Sequence, residues 1–382
     1  MKLPHVLLLP LLVSLSSFTT ACGDTSATAG PGGTGGQAGS DGGSAGSGGS
    51  PTGGSAGDGG STSTGGTGGT GGTGGEGGTT GTTTTGTTAT GSVLDPSKDG
   101  PYQTATLDDS ITVGDHQVPI HCVYPESGPS PGPYPVVVIG HGFQLPPSQY
   151  YSYVERLATF GYVALTADFP TSLFSVDNPQ NAKDLLAGLD WAESKLPAKS
   201  DTSLSGTTGH SLGGKIALLA ATMDPRVKAS IVLDPVDGGG GPGGGCQPPG
   251  CVDVSALMSQ LQIPTGFLGE TTDASGGFQP CAPAAENFTT FYANTNSPSF
   301  AVTIKGANHM SFLDDVASCG FTCNFCNMAS LPNATVNAMS RAYVVAFYER
   351  HLRNIAGYDT YLTGAEAQSL YVQPGIATID SK

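Results

Sequence analysis

"TTGHSLGGKIALLAA", residues 207–221, places a serine between glycines where a strand-like run meets an apolar helical run. A chain that turns from a parallel strand straight into a helix must strain the residue at the corner. Gly209 and Gly213 leave room for that turn to close without Cβ clashes. The helix that follows begins behind Ser211, so its free amides and positive dipole end face any negative charge formed there. The G-x-S-x-G spacing alone is a weak signal in a chain with 59 glycines. Set between a strand and a helix, it marks Ser211 as a candidate nucleophile, against the plainer reading of a tight turn.

The flanking sequence predicts those two elements and repeats them. Two strands are expected around Gln103–Val113 and Gln117–Tyr124. "YPVVVIGHG" (134–142) is apolar throughout, as a central parallel strand should be. A helix over Ser148–Phe160 leads into the strand "YVALTADFP", and an amphipathic helix over Asn178–Ser194 precedes "LSGTTGHS". After the helix Leu212–Met223 come the strands "KASIVLD", "IPTGFLGE" and "SFAVTIKGANH", then a long helix over Thr335–Arg353. Strands alternating with helices predict an α/β fold, with a mostly parallel central sheet and helices on both faces.

Only part of the 382-residue chain carries this pattern. Residues 1–22, with Lys2, the apolar run Val6–Val13 and small residues before Cys22, have the layout of a secretory signal. Cys22 also stands where a lipoprotein cleavage box would put it, and a lipid there would tether the protein to a membrane. Residues 23–92 are mostly Gly, Thr, Ser and Ala with repeats such as "GGTGGTGGTGGEGG", and read as a flexible linker. Residues 93–382 are then one catalytic domain.

The net charge of −16, from 14 basic and 30 acidic residues, argues against a nucleic-acid partner. Charged residues make up 12% of the chain, which suits an exported protein. Cysteines agree. Apart from Cys22 there are seven, so one thiol should be unpaired. Cys122 is that residue, because Val118, Ile120, Cys122 and Tyr124 alternate as the buried face of a strand. The other six allow 15 disulfide pairings, with Cys246–Cys251 the most readily closed. "CGFTCNFC" (319–326) could hold a metal, but in an oxidising compartment disulfides are the better reading. Nothing in the pattern calls for a metal or a cofactor.

A serine hydroxyl needs a base to take its proton and an acid to orient that base. His309, in the loop after the last predicted parallel strand, follows the serine in the chain order Ser, acid, His of the α/β-hydrolase fold. His210 must point away from Ser211, and His141 at a strand end reads as structural. The acid is open between Asp234, which ends the next strand about 4.8 Å to the side, and Glu270 or Asp273 one strand further. Asp237 is a further option, carried past the site by Pro235 and Val236. An oxyanion hole would use the amides of Leu212 and Phe143, with Leu145, Met310 and Phe312 lining an apolar mouth suited to an uncharged ester.

"GHSLGGK", "IVLDPVDG", "CAP" followed by Asn287, and "GANHMSFLDD" together resemble the chlorophyllase group of α/β-hydrolases, and "HGF" with "FGYVALTADFP" agrees. The similarity covers roughly residues 100–355. It implies a serine carboxylic-ester hydrolase without cofactor, with Ser211 as nucleophile, His309 as base and, from the Asp-Pro-Val element, Asp234 as acid. Plant members carry Arg where this chain has Leu212, and "GGGGPGGGCQPPGC" is inserted beside the acid. A small apolar ester or a polyester, as for cutinase-like and lipid esterases, is therefore expected as substrate beside the pigment. The rival from another class is a non-catalytic surface-binding module on the same fold.

Overall fold

The computed structural model describes residues 93–172, 177–238, 249–276 and 280–382. The expected signal and linker, and Cys246 of the expected Cys246–Cys251 pair, lie outside the described residues. Nine strands form a single sheet in the order β1-β2-β4-β3-β5-β6-β7-β8-β9. β1 (Gln103–Val113) and β2 (His116–Ser127) form an antiparallel hairpin joined to β4 (Val163–Ala167). β4, β3 (Tyr134–Gly140), β5 (Ser200–His210), β6 (Val227–Leu233), β7 (Thr265–Gly269) and β8 (Ser299–Ile304) run parallel. β9 (Ala377–Ser381) closes the far edge antiparallel to β8. The expected strand order along the chain holds. β9 was not legible, because "ATIDS" alternates too briefly to stand out.

The central strands are apolar because both their faces are covered. Val137 and Ile139 point into one core, with α1 (Tyr151–Thr159) and, further along the chain, the closing helix. Val136 and Val138 point into the other, with α2 (Asn178–Lys195) and α3 (Leu212–Met223). α4 (Phe288–Asn294) adds Phe288 and Phe291 to that second core, and α5 (Asn333–His351) lines the first. The expected helix over 148–160 instead starts as a 3-10 turn at Pro147–Tyr150. Proline supplies the fixed φ that begins such a turn but no amide to continue it backward. Among the described residues, no helix is long and apolar enough to cross a membrane.

Cys122 is buried and unpaired, as its strand position predicts. Burial pushes its thiol pKa far up, so it is an inert core residue. Cys319 pairs with Cys323 and Cys281 with Cys326, which makes "CGFTCNFC" a disulfide element and not a ligand set.

The tightest point in the sheet is where α3 starts. A Cβ on Gly213 would sit 2.2 Å from the carbonyl oxygen of Gly140, and one on Gly209 would sit 2.4 Å from the carbonyl oxygen of Gly213. Backbone meets backbone there, so no side chain can swing aside. Gly213→Ala should therefore destabilise the domain by about 3 kcal/mol, at the upper end for overpacking, seen as a lowered urea midpoint at unchanged slope.

Candidate active site

Each group of interest sits at the carboxyl end of a parallel strand. Ser211 follows β5 at φ 57° and ψ −122°, a conformation that L residues avoid. The Gly140–Gly209–Gly213 crossing leaves it no alternative. Its amide donates to the carbonyl of Leu233 at 3.0 Å, which ties the corner to β6. Asp234, directly after β6, is also at positive φ, 42°. His309 opens a 3-10 turn (His309–Phe312) beyond β8, capped by reciprocal bonds between Asn308 and Ser311.

These three side chains meet. The Ser211 hydroxyl donates to His309 Nε2 at 2.8 Å, and His309 Nδ1 donates to Asp234 Oδ2 at 2.6 Å. Asp234 and His309 are buried, while Ser211 is partly exposed. The imidazole is thus held in one tautomer with its free nitrogen on the hydroxyl.

The other acids take different places. Glu270, after β7, donates its amide to Asp234 Oδ1 at 3.3 Å and accepts the amide of Asp273 on Oε2 at 2.9 Å. Asp273 accepts the backbone amide of His309 on Oδ2 at 2.8 Å and that of Asn327 on Oδ1 at 2.6 Å. It therefore holds the histidine's backbone and not its ring. Asp237 turns the opposite way, onto the buried ammonium of Lys215 at 3.1 Å, and accepts the amides of Val254 and Ser255. Lys215 also donates to the carbonyl of Asp237, so the loop behind Asp234 is bonded to α3. A lone lysine inside "GGKIALLAA" was the available signal for this pair: a buried ammonium demands a partner.

Burial raises the pKa of Asp234 against the pull of His309, and raises that of Glu270, aided by the charge of Asp234, to about 9. Two buried carboxyls with oxygens within 4.8 Å of one another cannot both ionise cheaply. Asp234 receives the imidazole N–H and the Glu270 amide, so it keeps the charge and Glu270 keeps the proton.

His210 does point away from Ser211. Burial, helped by the neighbouring His309, drives its pKa well below the usual range, so the ring is neutral. Its Nε2–H donates to the carbonyl of His309 at 2.7 Å, and its Nδ1 accepts the Tyr150 hydroxyl at 2.9 Å. Tyr150 in turn accepts the Gly142 amide at 3.1 Å. This chain of bonds joins the Gly142–Phe143 loop to the His309 loop. No sequence signal marks it, because it depends on two buried rings meeting across 60 residues. His141 is structural, as expected, with its ring between the carbonyls of Gly142 and Phe169.

The amides of Phe143 and Leu212 donate no hydrogen bond among the described residues. Gln144, at φ 56°, turns the chain just after Phe143 and is held by Thr171. Phe143 is partly exposed, but Leu145, Met310 and Phe312 are buried at 4%, 5% and 0%. The last three belong to the core beneath the site, where the expectation put them at an open mouth. The reason is local: the turn 309–312 folds inward, and the carbonyl of Phe312 accepts the Tyr153 hydroxyl from α1.

The chlorophyllase family model matches residues 97–367. Chlorophyllase-2 of Arabidopsis thaliana is 27% identical over 202 residues, 48% of this chain and 62% of that protein. The chain thus spans about three fifths of the length of the chlorophyllase it matches. A bis(hydroxyethyl) terephthalate hydrolase of Streptomyces coelicolor is 35% identical over 255 residues, 66% of this chain and 68% of that protein. Cutinase 2 of Thermobifida cellulosilytica is 25% identical over 223 residues, 57% of this chain and 68% of that protein.

The protonated Glu270 sets a pH dependence of stability. The unfolded chain releases this proton in the ordinary glutamate range, whereas the native state holds it to about 9. Between those values the native state binds more protons, so stability falls as pH rises. Glu270→Gln removes that contribution. Its thermal midpoint should match the parent protein near pH 4 and exceed it at pH 8, as read by calorimetry across the range.

Proposed function

The chain belongs to the chlorophyllase family of α/β-hydrolases, and from that premise we propose that it is a serine carboxylic-ester hydrolase acting on an uncharged, apolar ester. The observation that carries this reading is the continuous bonding of Ser211, His309 and Asp234 at 2.8 and 2.6 Å. Ser211 Oγ attacks the ester carbonyl as His309 Nε2 takes its proton. Asp234 holds the imidazole in register and stabilises the imidazolium that forms. The amides of Leu212 and Phe143, the first at the start of α3, receive the oxyanion. His309 then returns the proton to the leaving alcohol. Water repeats the sequence on the acyl-enzyme and frees the acid.

An uncharged substrate fits the chemistry around the site. The Asp234 carboxylate lies behind His309 and would repel an anionic group, and Phe143 offers an apolar wall beside the hydroxyl. The relatives' names place pigment, terephthalate and cutin-type esters within reach of this family. The 35% identity to the terephthalate ester hydrolase favours a small aryl or polyester ester over chlorophyll. The two described disulfides support export, and lipidation of Cys22 would keep the enzyme at the cell envelope.

Ser211→Ala should lower turnover of p-nitrophenyl acyl esters by about four orders of magnitude or more, with an unchanged thermal midpoint. Full turnover in that variant would sink the assignment. A fluorophosphonate probe should label the parent protein and not the variant; a binding module that merely keeps the fold would leave both unlabelled. An ester panel of short acyl, long acyl, bis(hydroxyethyl) terephthalate and chlorophyll then ranks the substrate classes, with the terephthalate ester expected above the pigment.

A further inference from the structure

Glu270 is unused by the mechanism above and is costly to keep. It is fully buried, and its carboxyl faces two other acids and no cation among the described residues. One oxygen, Oε1, is buried without a hydrogen-bond partner among the described residues. Buried polar atoms are rarely left so, and a group that is calls for an explanation. Packing alone does not supply one. Glutamine has the same shape, would accept the Asp273 amide equally well, and carries no proton that burial must hold in place.

Position supplies the explanation. An oxygen of Glu270, an oxygen of Asp234 and a ring nitrogen of His309 lie within 4.8 Å of one another. β6 and β7 are neighbours in register, so the residues after Leu233 and Gly269 deliver two carboxyls to the same imidazole from adjacent strands. Asp234 occupies the hydrogen-bonding place at Nδ1, and Glu270 stands immediately behind it.

We propose that His309 is served by a carboxyl pair: Glu270 is a second positioning acid, which shares one negative charge with Asp234 and can carry it alone at Nδ1. The inference rests on the reading of Ser211 and His309 as nucleophile and base. With Asp234 ionised, Glu270 holds the proton and contributes neutral bulk behind the ring. With Asp234 neutralised, burial still opposes ionisation of Glu270, but the like charge that reinforced it is gone. Glu270 then ionises more readily as pH rises, and a side-chain rotation brings Oε1 toward the imidazole. Asp273 does not compete for this role, because both its oxygens are taken by the amides of His309 and Asn327.

The test compares Asp234→Asn, Glu270→Gln and the double variant by kcat on a p-nitrophenyl ester. Glu270→Gln alone should stay within about threefold of the parent at pH 7. Asp234→Asn should lose about 10²-fold, and the double variant about 10⁴-fold, the loss expected when a triad histidine has no acid at all. Asp234→Asn should also gain activity with rising pH as Glu270 ionises, a gain missing from the double variant and one that a merely structural role would not produce. A double variant no worse than Asp234→Asn would overturn the proposal. If Asp234→Asn does not fold, Asp234→Ala with and without Glu270→Gln gives the same comparison and leaves Glu270 more room to move. Activity surviving in Ser211→Ala would instead refute the underlying reading of the site, so the two failures are told apart.

Discussion

A helix can start directly on the ends of two parallel strands only where nothing larger than hydrogen fills the crossing. In this protein the crossing is made by Gly140, Gly209 and Gly213, whose backbones approach so closely that no Cβ fits. The strained Ser211 is a consequence. Its φ of 57° is imposed by the strand behind it and the helix in front. The strain in turn lifts the hydroxyl clear of the sheet and aims the first amides of α3 at the space beside it. Relaxing the crossing would move the hydroxyl and those amides together.

Around that corner the protein spends its hydrogen bonds on loops. The loops after β3, β5, β6, β7 and β8 would be the most mobile parts of such a fold. Here each is bonded to a neighbour: Gly142 to Tyr150, Tyr150 to His210, His210 to the His309 carbonyl, His309 to Asp273, and Asp237 to Lys215. The Cys281–Cys326 disulfide adds a covalent link between the loops that carry Asp273 and Asn327. In the proposed reaction a hydroxyl and an imidazole must hold hydrogen-bond distance, and this web limits how far either can drift.

The same region concentrates carboxyls away from water. Asp234, Glu270 and Asp273 are all fully buried, without a lysine or arginine paired to them among the described residues. Backbone amides and one imidazole do the compensating, and a proton on Glu270 completes the balance. Such an arrangement lowers stability, which natural domains accept mainly at working sites. The buried Lys215–Asp237 pair close by is fully matched, and reads as a strut.

Much of this was legible in the chain itself. Period-two and period-3.6 patterning placed eight of the nine strands and the long helices, because apolar residues must follow the geometry that buries them. The glycines flanking Ser211, and the order of serine, acid and histidine along the chain, narrowed the site to a few residues. Element ends were less legible: the helix expected at Ser148 is a 3-10 turn before it is an α-helix, and Leu145, Met310 and Phe312 lie in the core and not at a mouth. Which acid meets His309 was undecided by spacing alone, since Asp234, Glu270 and Asp273 end neighbouring strands. Local pattern reports which way a side chain faces on its own element, and so determines sheet, helices and the strained serine. Distances between loops are set by how strands register and twist against one another across the sheet. The resemblance named Asp234, but only folding could put Asp234 on the ring, Asp273 on the backbone, and Glu270 in the space behind both.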